Sequence, residues 1–375
     1  MSTSHPFIKY PSIAIFSVVT LLYFLGSLTP YINSLHFKGF TYLALFFPFL
    51  FIAMITILLV SLLLFRKYSL LLFFVLLIGY KNIFSTIGFH YPKEFVQQKE
   101  PNTFRLLSWN VDNFVNCEKR YDSPKAFRRN IVAFIKSSNA DILCLQDFMN
   151  IDESKSLISN LMCLKDTLNY PYYYFPVDNQ MDKPNYNYGT IILSRYPITD
   201  SGRFAYQRKH CPEHLIFATI KINGRLVRFY NTHLASMYLH KFGKQNYGNE
   251  SFLQDDTAII YRGHRYQKLV YFDSVHIAQA KLVKETLNKC TIPYFFCADL
   301  NSVPSSFVYQ HISQGLNDAF VQQGFGWGGT YHELSPTLRI DVVLMSKGLK
   351  ATQYYSPKLQ KASDHYPIIT DVALH

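Results

Sequence analysis

The first ninety residues of the chain are apolar in long, uninterrupted runs. From Tyr10 to Phe37, and again from Gly39 to Phe65, no Asp, Glu, Lys or Arg breaks stretches of Leu, Ile, Phe and Val. A helix crosses a hydrocarbon core of roughly 30 Å with about 20 residues, because each residue advances about 1.5 Å. Both runs are therefore long enough to span a membrane as α-helices.

A third apolar stretch, Tyr68 to Tyr80, reaches spanning length only if it continues past Lys81 toward Phe89. The pattern predicts a membrane anchor over residues 1–90 with two or three transmembrane helices, at about 12–32, 40–65 and 68–89. A cleaved signal peptide over the first run is the alternative. It is disfavoured because a basic flank is almost absent and further apolar runs follow.

Beyond a polar, flexible linker at 91–103, short β-rich runs alternate with turns and helical periodicity. The predicted strands are Phe104–Val111, Ile142–Gln146, Tyr172–Pro176, Thr190–Ser194, Ile216–Ile222, Leu226–Asn231, Tyr294–Cys297, Ile340–Met345 and Ile368–Val372. The predicted helices are Ala126–Ser138 and His264–Asn288. Many strands are apolar throughout, which is typical of sheets covered on both faces. We predict one α/β domain over 104–375, with a functional loop or insertion at 235–263.

The composition is informative only when residues 1–93 and the rest of the chain are counted separately. The whole chain is 49% apolar and 17% charged, which excludes a disordered or collagen-like chain. Residues 1–93 hold six Lys or Arg and no acid, whereas the remainder holds 31 basic and 25 acidic side chains, a net charge of +6. The six Cys include no CxxC pair, and Cys144 and Cys297 lie in strand-like runs typical of buried thiols. The length therefore corresponds to one α/β domain and an anchor.

Several predicted strands end in polar side chains that a strand does not need. These residues are Asn110, Asp112, Asp147, His233, Asp299, Asn301, Asp341, Asp364 and His365. Taken singly, each is a common turn or cap residue. As a set, they supply the hard oxygen ligands that suit Mg²⁺, Mn²⁺ or Ca²⁺. No zinc-type spacing, Gly-rich phosphate loop or GxSxG elbow occurs, which disfavours kinase and serine hydrolase functions.

The order of these motifs resembles the endonuclease/exonuclease/phosphatase superfamily, which includes DNase I, AP endonucleases, neutral sphingomyelinases and inositol polyphosphate 5-phosphatases. The motifs are SWNVD (108–112), ADILCLQD (140–147), YGTIILSRYPI (188–198), NTHL (231–234), CADLN (297–301), RIDVVLMS (339–346) and SDHYPI (363–368). The resemblance covers roughly residues 103–375. It implies a four-layer α/β/β/α sandwich, with the active site where the strand ends of both sheets meet.

The same resemblance implies a divalent metal site. Asp112, Asp147 and Asp364 correspond to its metal-binding side, with Mg²⁺ as the expected ion and Mn²⁺ as the alternative. Asp147 departs from the family pattern, in which this position is normally a Glu. Its side chain is one methylene shorter, so the metal must lie closer to the strand or be reached through water. Weaker metal affinity is the favoured consequence, and loss of activity is the alternative.

Catalytic roles are implied for the remaining residues. Asn110 resembles the family's active-site Asn, and His233 the phosphate-contacting His of the branches other than AP endonucleases. Asp299 and Asn301 resemble the catalytic Asp-x-Asn pair, which activates and positions water. Asp341 is expected to orient His365. Either Asp299 or His365 remains a candidate for the general base.

The resemblance and the anchor together predict a membrane-anchored, metal-dependent phosphoester hydrolase. Because the domain stays close to the bilayer, the favoured substrate is a lipid-linked phosphate: a polyprenyl diphosphate, or a phospholipid or sphingolipid head group. Membrane-anchored members of the family include phosphatases that act on polyprenyl diphosphate. An anchored DNase I-like nuclease and a catalytically weak module that binds a lipid or a partner are the alternatives.

The expected location is the cytoplasmic (plasma) membrane, with several passes. If three helices span, the positive-inside tendency keeps Lys9, Arg66 and Lys67 in the cytoplasm. The catalytic domain then lies on the extracytoplasmic side, and two spans would reverse this orientation. The bilayer is the partner that the sequence predicts, and no protein partner can be inferred from it.

Overall fold

The computed structural model describes residues 6–64, 66–114, 124–151, 159–181, 186–206, 213–236, 265–359 and 362–374. The predicted loop or insertion at 235–263 lies outside these residues from position 237 onward. The helices are α1 (Pro6–Ser27), α2 (Gly39–Leu64), α3 (Arg66–Ile78), α4 (Tyr80–Thr86), α5 (Pro124–Ser138), α6 (Asn160–Met162), α7 (Arg265–Asn288), α8 (Phe307–Ser313) and α9 (Ala319–Gln323). A π-helical turn, Cys163–Thr167, follows α6.

The strands follow the same chain order. They are β1 (Gly88–Phe89), β2 (Thr103–Asn110), β3 (Ile142–Ile151), β4 (Tyr172–Tyr174), β5 (Asn179–Met181), β6 (Tyr186–Ser194), β7 (Ile198–Ala205), β8 (His214–Ile222), β9 (Arg225–His233), β10 (Tyr294–Asp299), β11 (Asn317–Asp318), β12 (Phe325–Gly326), β13 (Asp341–Met345), β14 (Ala351–Tyr355) and β15 (Ile368–Ala373).

Two large sheets form the centre of the fold. The first sheet has the order β14–β15–β2–β3–β6–β4, with β5 also paired to β6, and the second sheet has the order β11–β13–β10–β9–β8–β7. Strand β2 runs parallel to β3, and β9 runs parallel to β10. Parallel neighbours need a crossover connection, and the segments containing α5 and α7 make these two crossovers.

Both faces of each sheet are apolar, which produces four layers. Phe104 on β2 meets Phe229 and Phe295 of the second sheet edge to face, with ring centroids 5.8 and 5.3 Å apart. Leu107, on the opposite face of β2, belongs to a cluster with Ile135 of α5. The outer face of the second sheet packs against α7 and α8. The order α5, first sheet, second sheet, α7 and α8 confirms the predicted α/β/β/α sandwich.

The apolar pattern located the strands better than it located their ends. Every predicted strand and both predicted helices are present, and Cys144 and Cys297 are buried free thiols as expected. Strand β3 continues to Ile151 and β6 begins at Tyr186, so both strands are longer than predicted. Strands β7 and β14 were not predicted. Most residues of β7 are exposed, so its sequence carries little apolar signal.

The N-terminal helices form a bundle of their own, built from α1 to α4. Its small core contains Tyr23, Phe47, Met54 and Leu72. The hydroxyl of Tyr23 donates to the carbonyl of Leu76 at 2.8 Å. A Cβ at position 79 would lie 2.0 Å from this hydroxyl, so the glycine there makes the close approach available. Helix α1 ends shortly before Pro30, because a proline disfavours helical geometry in the residue before it.

Of the described helices, α2 alone is long and apolar enough to cross a membrane by itself, judged by length and composition. Helices α3 and α4 pass the same test only as a pair, and they meet at a bend of 58°. The described apolar part of α1, Ile13–Ser27, is shorter than a span. The predicted span at 40–65 therefore coincides with α2, whereas those at 12–32 and 68–89 remain predictions.

One end of the bundle is hydrogen-bonded to the loop that follows β10. The hydroxyl of Thr29 donates to the carbonyl of Ser305 at 2.6 Å, and the hydroxyl of Ser305 donates to the carbonyl of Ala44 at 2.7 Å. Arg339 donates from Nη2 to the carbonyl of Ser85 at 2.6 Å. The C-terminal end of α1, the N-terminal part of α2 and the end of α4 thus all face the sandwich.

Two further contacts join the bundle to the sandwich. Asp273 on α7 accepts hydrogen bonds from the hydroxyls of Ser34 and Thr41, the second at 2.6 Å. Strand β1, at the end of the bundle, pairs with β12 of the sandwich. These polar bonds are buried or partly buried, so they fix the two parts of the chain against each other.

The segment predicted as a flexible linker, 91–103, is held against the sandwich. The backbone N–H of Val96 donates to Oε1 of Gln353 at 2.7 Å, and Lys99 forms an ion pair with Asp141 at 2.6 Å. Its polar composition indicated a loop correctly, but it did not reveal these partners. Backbone and side-chain groups of the segment thus bind the domain.

The buried pair between Arg105 and Asp371 gives the first prediction. Nε and Nη2 of Arg105 contact the carboxylate at 2.6 and 2.8 Å, and Arg105 is fully buried. Asp371→Ala leaves this guanidinium uncompensated, so we expect the free energy of unfolding to fall by about 3–5 kcal/mol. Urea unfolding of the detergent-solubilised full chain measures the change. The control is Asp200→Ala in the exposed pair with Arg228, expected to cost less than about 1 kcal/mol. Equal losses would contradict the prediction.

Candidate active site

Three site residues stand side by side at one edge of the second sheet. Asp299, the last residue of β10, pairs with His233 on β9 and with Asp341 on β13. All three are buried, with 0–2% of their surface exposed. Register alone therefore places one imidazole and two carboxylates in a row.

The first sheet adds Asn110 and Asp147 from the opposite side. Nδ2 of Asn110 donates to Oδ2 of Asp299 at 3.0 Å and to Oδ2 of Asp147 at 3.2 Å. Below this bridge, Nε2 of Gln146 donates to Oδ1 of Asn231 at 2.7 Å. Side-chain amides thus join the two sheets at the floor of the site.

His365 lies against Asp341, as expected from the sequence. Its Nδ1 is 2.9 Å from Oδ2 of Asp341, and its Nε2 is 3.7 Å from Oδ2 of Asp299. Burial lowers the pKa of His365, but the charges of Asp341 and Asp299 outweigh burial and hold that pKa well above its usual value. With Nδ1 engaged by Asp341, His365 presents Nε2 to the site.

His233 forms a second pair of this kind, with Asp147. Nδ1 of His233 is 2.9 Å from Oδ1 of Asp147, which also accepts a hydrogen bond from the hydroxyl of Tyr188. Burial lowers the pKa of His233, yet the Asp147 charge raises it to about 10. Burial raises the pKa of Asp147, and the His233 charge brings it well below its usual range.

The backbone at Asp147 explains how this carboxylate reaches His233. The pairing of β3 with β6 shifts register between Leu145 and Phe148, and Asp147 has a φ of +48°. A bulge of this kind redirects a side chain and occurs often beside active sites. Because Asn110, Tyr188 and His233 occupy both of its oxygens, Asp147 is placed as the acidic partner of His233.

Asp299 and Asn301 are joined as the sequence suggested. Oδ1 of Asp299 accepts from the backbone N–H of Asn301 at 2.9 Å, and Asn301 has a φ of +46°. Burial, reinforced by the Asp341 charge, raises the pKa of Asp299 to about 6, although His365 and His233 oppose the shift. Nδ2 of Asn301 donates to the carbonyl of Leu234 at 2.9 Å and lies 3.0 Å from Nε2 of His233.

Asp112 and Asp364 lie at the rim, where both are half-buried. The backbone N–H of Asp112 donates to Oδ1 of Asn110 at 3.0 Å, at a φ of +41°. Oδ1 of Asp364 is 3.9 Å from Nε2 of His365. These two carboxylates add negative charge at the mouth of the site.

The group best placed for a cation differs from the predicted one. Among the described residues, Asp299, Asp341 and His365 form the group whose ligand atoms lie within 4.8 Å of one another. The predicted set of Asp112, Asp147 and Asp364 does not, because Asp147 turns toward His233 and the other two lie at the rim. That Asp112, Asp147 and Asp364 hold the metal therefore stays a prediction.

The residues present nevertheless fit a divalent cation. Oδ1 of Asp341 is buried and has no hydrogen-bond partner among the described residues. A buried carboxylate oxygen without a partner is costly unless a cation neutralises it. Carboxylate oxygens also suit the hard cations Mg²⁺ and Mn²⁺.

Three residues of the site were missed in the sequence. Tyr188, which binds Asp147, lies within a quoted motif but carried no signal of its own. The ring of Tyr331 lies 4.8 Å from that of His365, and the two residues form a β-bridge. Ser363 donates to the carbonyl of Asn110 at 2.7 Å and accepts from the N–H of His365 at 3.1 Å. Tertiary contacts alone identify all three.

A four-layer sandwich with two His–Asp pairs and a shared central carboxylate defines a phosphoesterase fold of the DNase I-like class. The family model described as "Endonuclease/Exonuclease/phosphatase family" matches residues 107–365. The chain belongs to this family. A second model, a domain of unknown function (DUF8431), matches residues 10–86. A search of curated proteins finds no match.

Solved structures share the fold at low sequence identity. An endonuclease/exonuclease/phosphatase from Bacteroides vulgatus is 17% identical with a TM-score of 0.52, and the match covers 73% of this chain and 99% of that one. The human nocturnin catalytic domain is 17% identical with a TM-score of 0.51, covering 74% and 97%. A member from Beutenbergia cavernae is also 17% identical, with a TM-score of 0.50 and coverage of 73% and 72%.

The pair between His365 and Asp341 gives the second prediction. Of the charges that raise the pKa of His365, Asp341 contributes most. In metal-free Asp341→Asn protein we therefore expect the pKa of His365 to fall. Histidine-selective ¹⁵N NMR of the full chain, assigned with His365→Gln, follows this pKa. Asp364→Asn, whose carboxylate is more distant, should lower it less, and an unchanged pKa in Asp341→Asn would refute the assignment.

Proposed function

We propose that this protein is a membrane-anchored, divalent-metal-dependent hydrolase of lipid-linked phosphates. The substrate is a polyprenyl diphosphate or a phospholipid or sphingolipid head group. The observation that carries the proposal is the seating of the loop after Asp299 and Asn301 on the end of the helical bundle. Ser305, which is hydrogen-bonded to α1 and α2, is four residues from Asn301. Four residues reach about 14 Å at most, so the reaction centre is close to the bundle.

The bundle has the surface expected of a lipid-embedded domain. Its outward side chains are large and apolar, including Leu63, Leu64 and Leu70 with 79%, 69% and 66% of their surface exposed. Exposed apolar surface of this extent is unfavourable in water and neutral in hydrocarbon. We infer that all of α1 to α4 lies in the membrane, with α3 and α4 as one bent span.

The arrangement of the helix ends favours an extracytoplasmic catalytic domain. The end of α1, the start of α2 and the end of α4 face the sandwich, which leaves Lys9, Arg66 and Lys67 toward the opposite end. Basic residues beside spans favour the cytoplasm. Lys38 and Lys81 lie near the sandwich and favour the opposite orientation. The inference therefore rests on three basic residues at the far end of the bundle against two at the near end.

The site supports direct attack by water on phosphorus. The carboxylates beside His365 and His233 raise the pKa values of both imidazoles. They can donate to phosphoryl oxygens as negative charge develops there. Asp299, with a pKa of about 6, is ionised at neutral pH and close to the ideal strength for a general base.

We propose that hydrolysis takes place in one step, in which each of these side chains has a separate role. The water oxygen forms a bond to phosphorus while Asp299 takes its proton, and the bond from phosphorus to the leaving oxygen breaks with its electron pair. Asp341 keeps Nδ1 of His365 protonated, so that Nε2 faces the substrate. Asp147 does the same for His233. Oδ1 of Asp341 would contribute a ligand for Mg²⁺ or Mn²⁺, which would supply charge neutralisation at the phosphoryl oxygens.

The third prediction tests this function on the full chain in detergent micelles. With Mg²⁺, we expect phosphate or head-group release from at least one of polyprenyl diphosphate, sphingomyelin and phosphoinositide. Chelation should abolish turnover, and added Mg²⁺ or Mn²⁺ should restore it. Asp299→Asn and His365→Gln should each lower kcat by about 10²–10⁴-fold, because each removes proton transfer or charge stabilisation.

Asp200→Asn is the matched control, since this carboxylate is 55% exposed and belongs to a surface pair. It should leave turnover unchanged. Preferential nicking of plasmid DNA would contradict the lipid substrate and favour an anchored nuclease. The absence of turnover of all four substrates would favour a binding module.

A further inference from the structure

A third His–Asp pair lies next to the site, outside the residues discussed so far. Nδ1 of His214, at the start of β8, is 2.7 Å from Oδ1 of Asp178. The Asp178 side chain is 1% exposed, whereas that of His214 is 15% exposed. The carboxylate is therefore buried and the imidazole reaches solvent.

Strand register places this imidazole beside the one that is already in the site. Ile216 on β8 is paired with Asn231 on β9, and two residues further along each strand are His214 and His233. Residues two apart lie on the same face of a strand, so both imidazoles project from the inner face of the second sheet. Opposed residues of antiparallel strands have Cβ atoms about 4.5–5.5 Å apart. A bond of 3.1 Å from the hydroxyl of Thr232 to the carbonyl of His214 keeps the strands together here.

The two pairs are built in parallel. His233 reaches across to Asp147 and His214 reaches across to Asp178, both from the second sheet. One residue connects the two carboxylates, because the Tyr188 hydroxyl binds Asp147 and the Tyr188 carbonyl accepts from the N–H of Asp178 at 2.8 Å.

The surroundings of Asp178 are shaped to hold a carboxylate. Its Oδ2 accepts from the backbone N–H of Thr190 at 3.3 Å. A Cβ at Gly189 would lie 2.8 Å from that oxygen, so a side chain there would displace it. Burial raises the pKa of Asp178 to about 6, which leaves it ionised at neutral pH beside His214.

The outer nitrogen of His214 is available to a ligand. Nδ1 is used by Asp178, and no group among the described residues hydrogen-bonds to Nε2. An imidazole whose role is purely structural and buried would have both nitrogens bonded. Among the described residues the second nitrogen of His214 has no partner, and it lies on the same face of the second sheet as His233.

We propose that His214, oriented by Asp178, binds a second phosphoryl group next to the one that is hydrolysed. The inference rests on the proposed function and narrows its substrate to one with two adjacent phosphoryl groups, a lipid diphosphate. A head group with a single phosphorus atom, such as that of sphingomyelin, offers His214 no partner. In a diphosphate, the terminal phosphoryl group lies at His233 and His365, and the leaving phosphate lies at His214.

The fourth prediction compares two probes on the full chain in detergent with Mg²⁺. Initial rates of phosphate release are measured with farnesyl diphosphate and farnesyl phosphate, for wild type, His214→Gln and Asp178→Asn. We expect KM for the diphosphate to rise about ten- to hundredfold in His214→Gln, as for the loss of one charge-assisted hydrogen bond. KM for the monophosphate should change less than about twofold, because this probe has no second phosphoryl group to bind His214. Asp178→Asn should show the same selectivity with a smaller effect.

The control is His311→Gln on α8, a half-buried histidine stacked on Phe307 and remote from the site residues. It should leave both KM values unchanged. The two KM values of each variant are measured on one preparation. Their ratio is therefore not altered when part of the variant is unfolded. Equal losses for both probes would make His214 a support for His233, and no change would make the pair structural. Either result overturns the inference while leaving the proposed function intact.

A binding measurement tests the subsite even if wild type hydrolyses neither probe, which would refute the proposed function. Methylenediphosphonate should bind wild type at least about tenfold more tightly than methylphosphonate in titration calorimetry with Mg²⁺, and His214→Gln should remove the difference. Equal affinities in wild type would overturn the subsite. ADP, a diphosphate without a lipid, distinguishes a preference for lipid diphosphates from a preference for any diphosphate. A kcat/KM far below that for farnesyl diphosphate supports the lipid, and an equal value contradicts it.

Discussion

The central strands of the sandwich are buried on both faces, and this constraint governs where charge can be placed. All six residues of β10 are buried, and its single carboxylate, Asp299, stands at the strand end. The neighbouring strands β9 and β13 bring His233 and Asp341 to the same level. Buried charges are stable only when they are paired. The strand ends thus bring these three groups to one edge of the sheet, where two of them, His233 and Asp341, form His–Asp pairs with Asp147 and His365.

Pairing divides the site into acids and a base. Asp147 and Asp341 stabilise protonated His233 and His365, whereas Asp299 lies between like and unlike charges and keeps a pKa of about 6. Groups with similar intrinsic chemistry therefore acquire different roles from their positions. The excess of carboxylates over imidazoles leaves net negative charge, which accounts for the fit of a divalent cation beside the unpaired oxygen of Asp341.

The helical bundle also contacts the segments of the sandwich that carry the site. Thr29, Ala44 and Ser85 bind segments that flank Asp299 and Asp341, and Asp273 on α7 binds the start of α2. These buried polar contacts connect the apolar helices with the loops that carry the site. The bonds of 91–103 to the sandwich remove the remaining freedom of movement that a linker would allow.

The sequence by itself determined the partition of the chain, the positions of the strands and long helices, the family, and most of the site residues. Hydrophobic periodicity and motif order are patterns among residues close together in the chain, and they indicate which positions are buried. Only the tertiary structure decided that Asp147 pairs with His233, that Asp299, Asp341 and His365 form the cation group, and that His214 stands beside His233. These partners are far apart in the chain, and a bulge in β3 and the register of β8 on β9 bring them together. Neither feature leaves a periodic signal, since each depends on the strand that lies opposite.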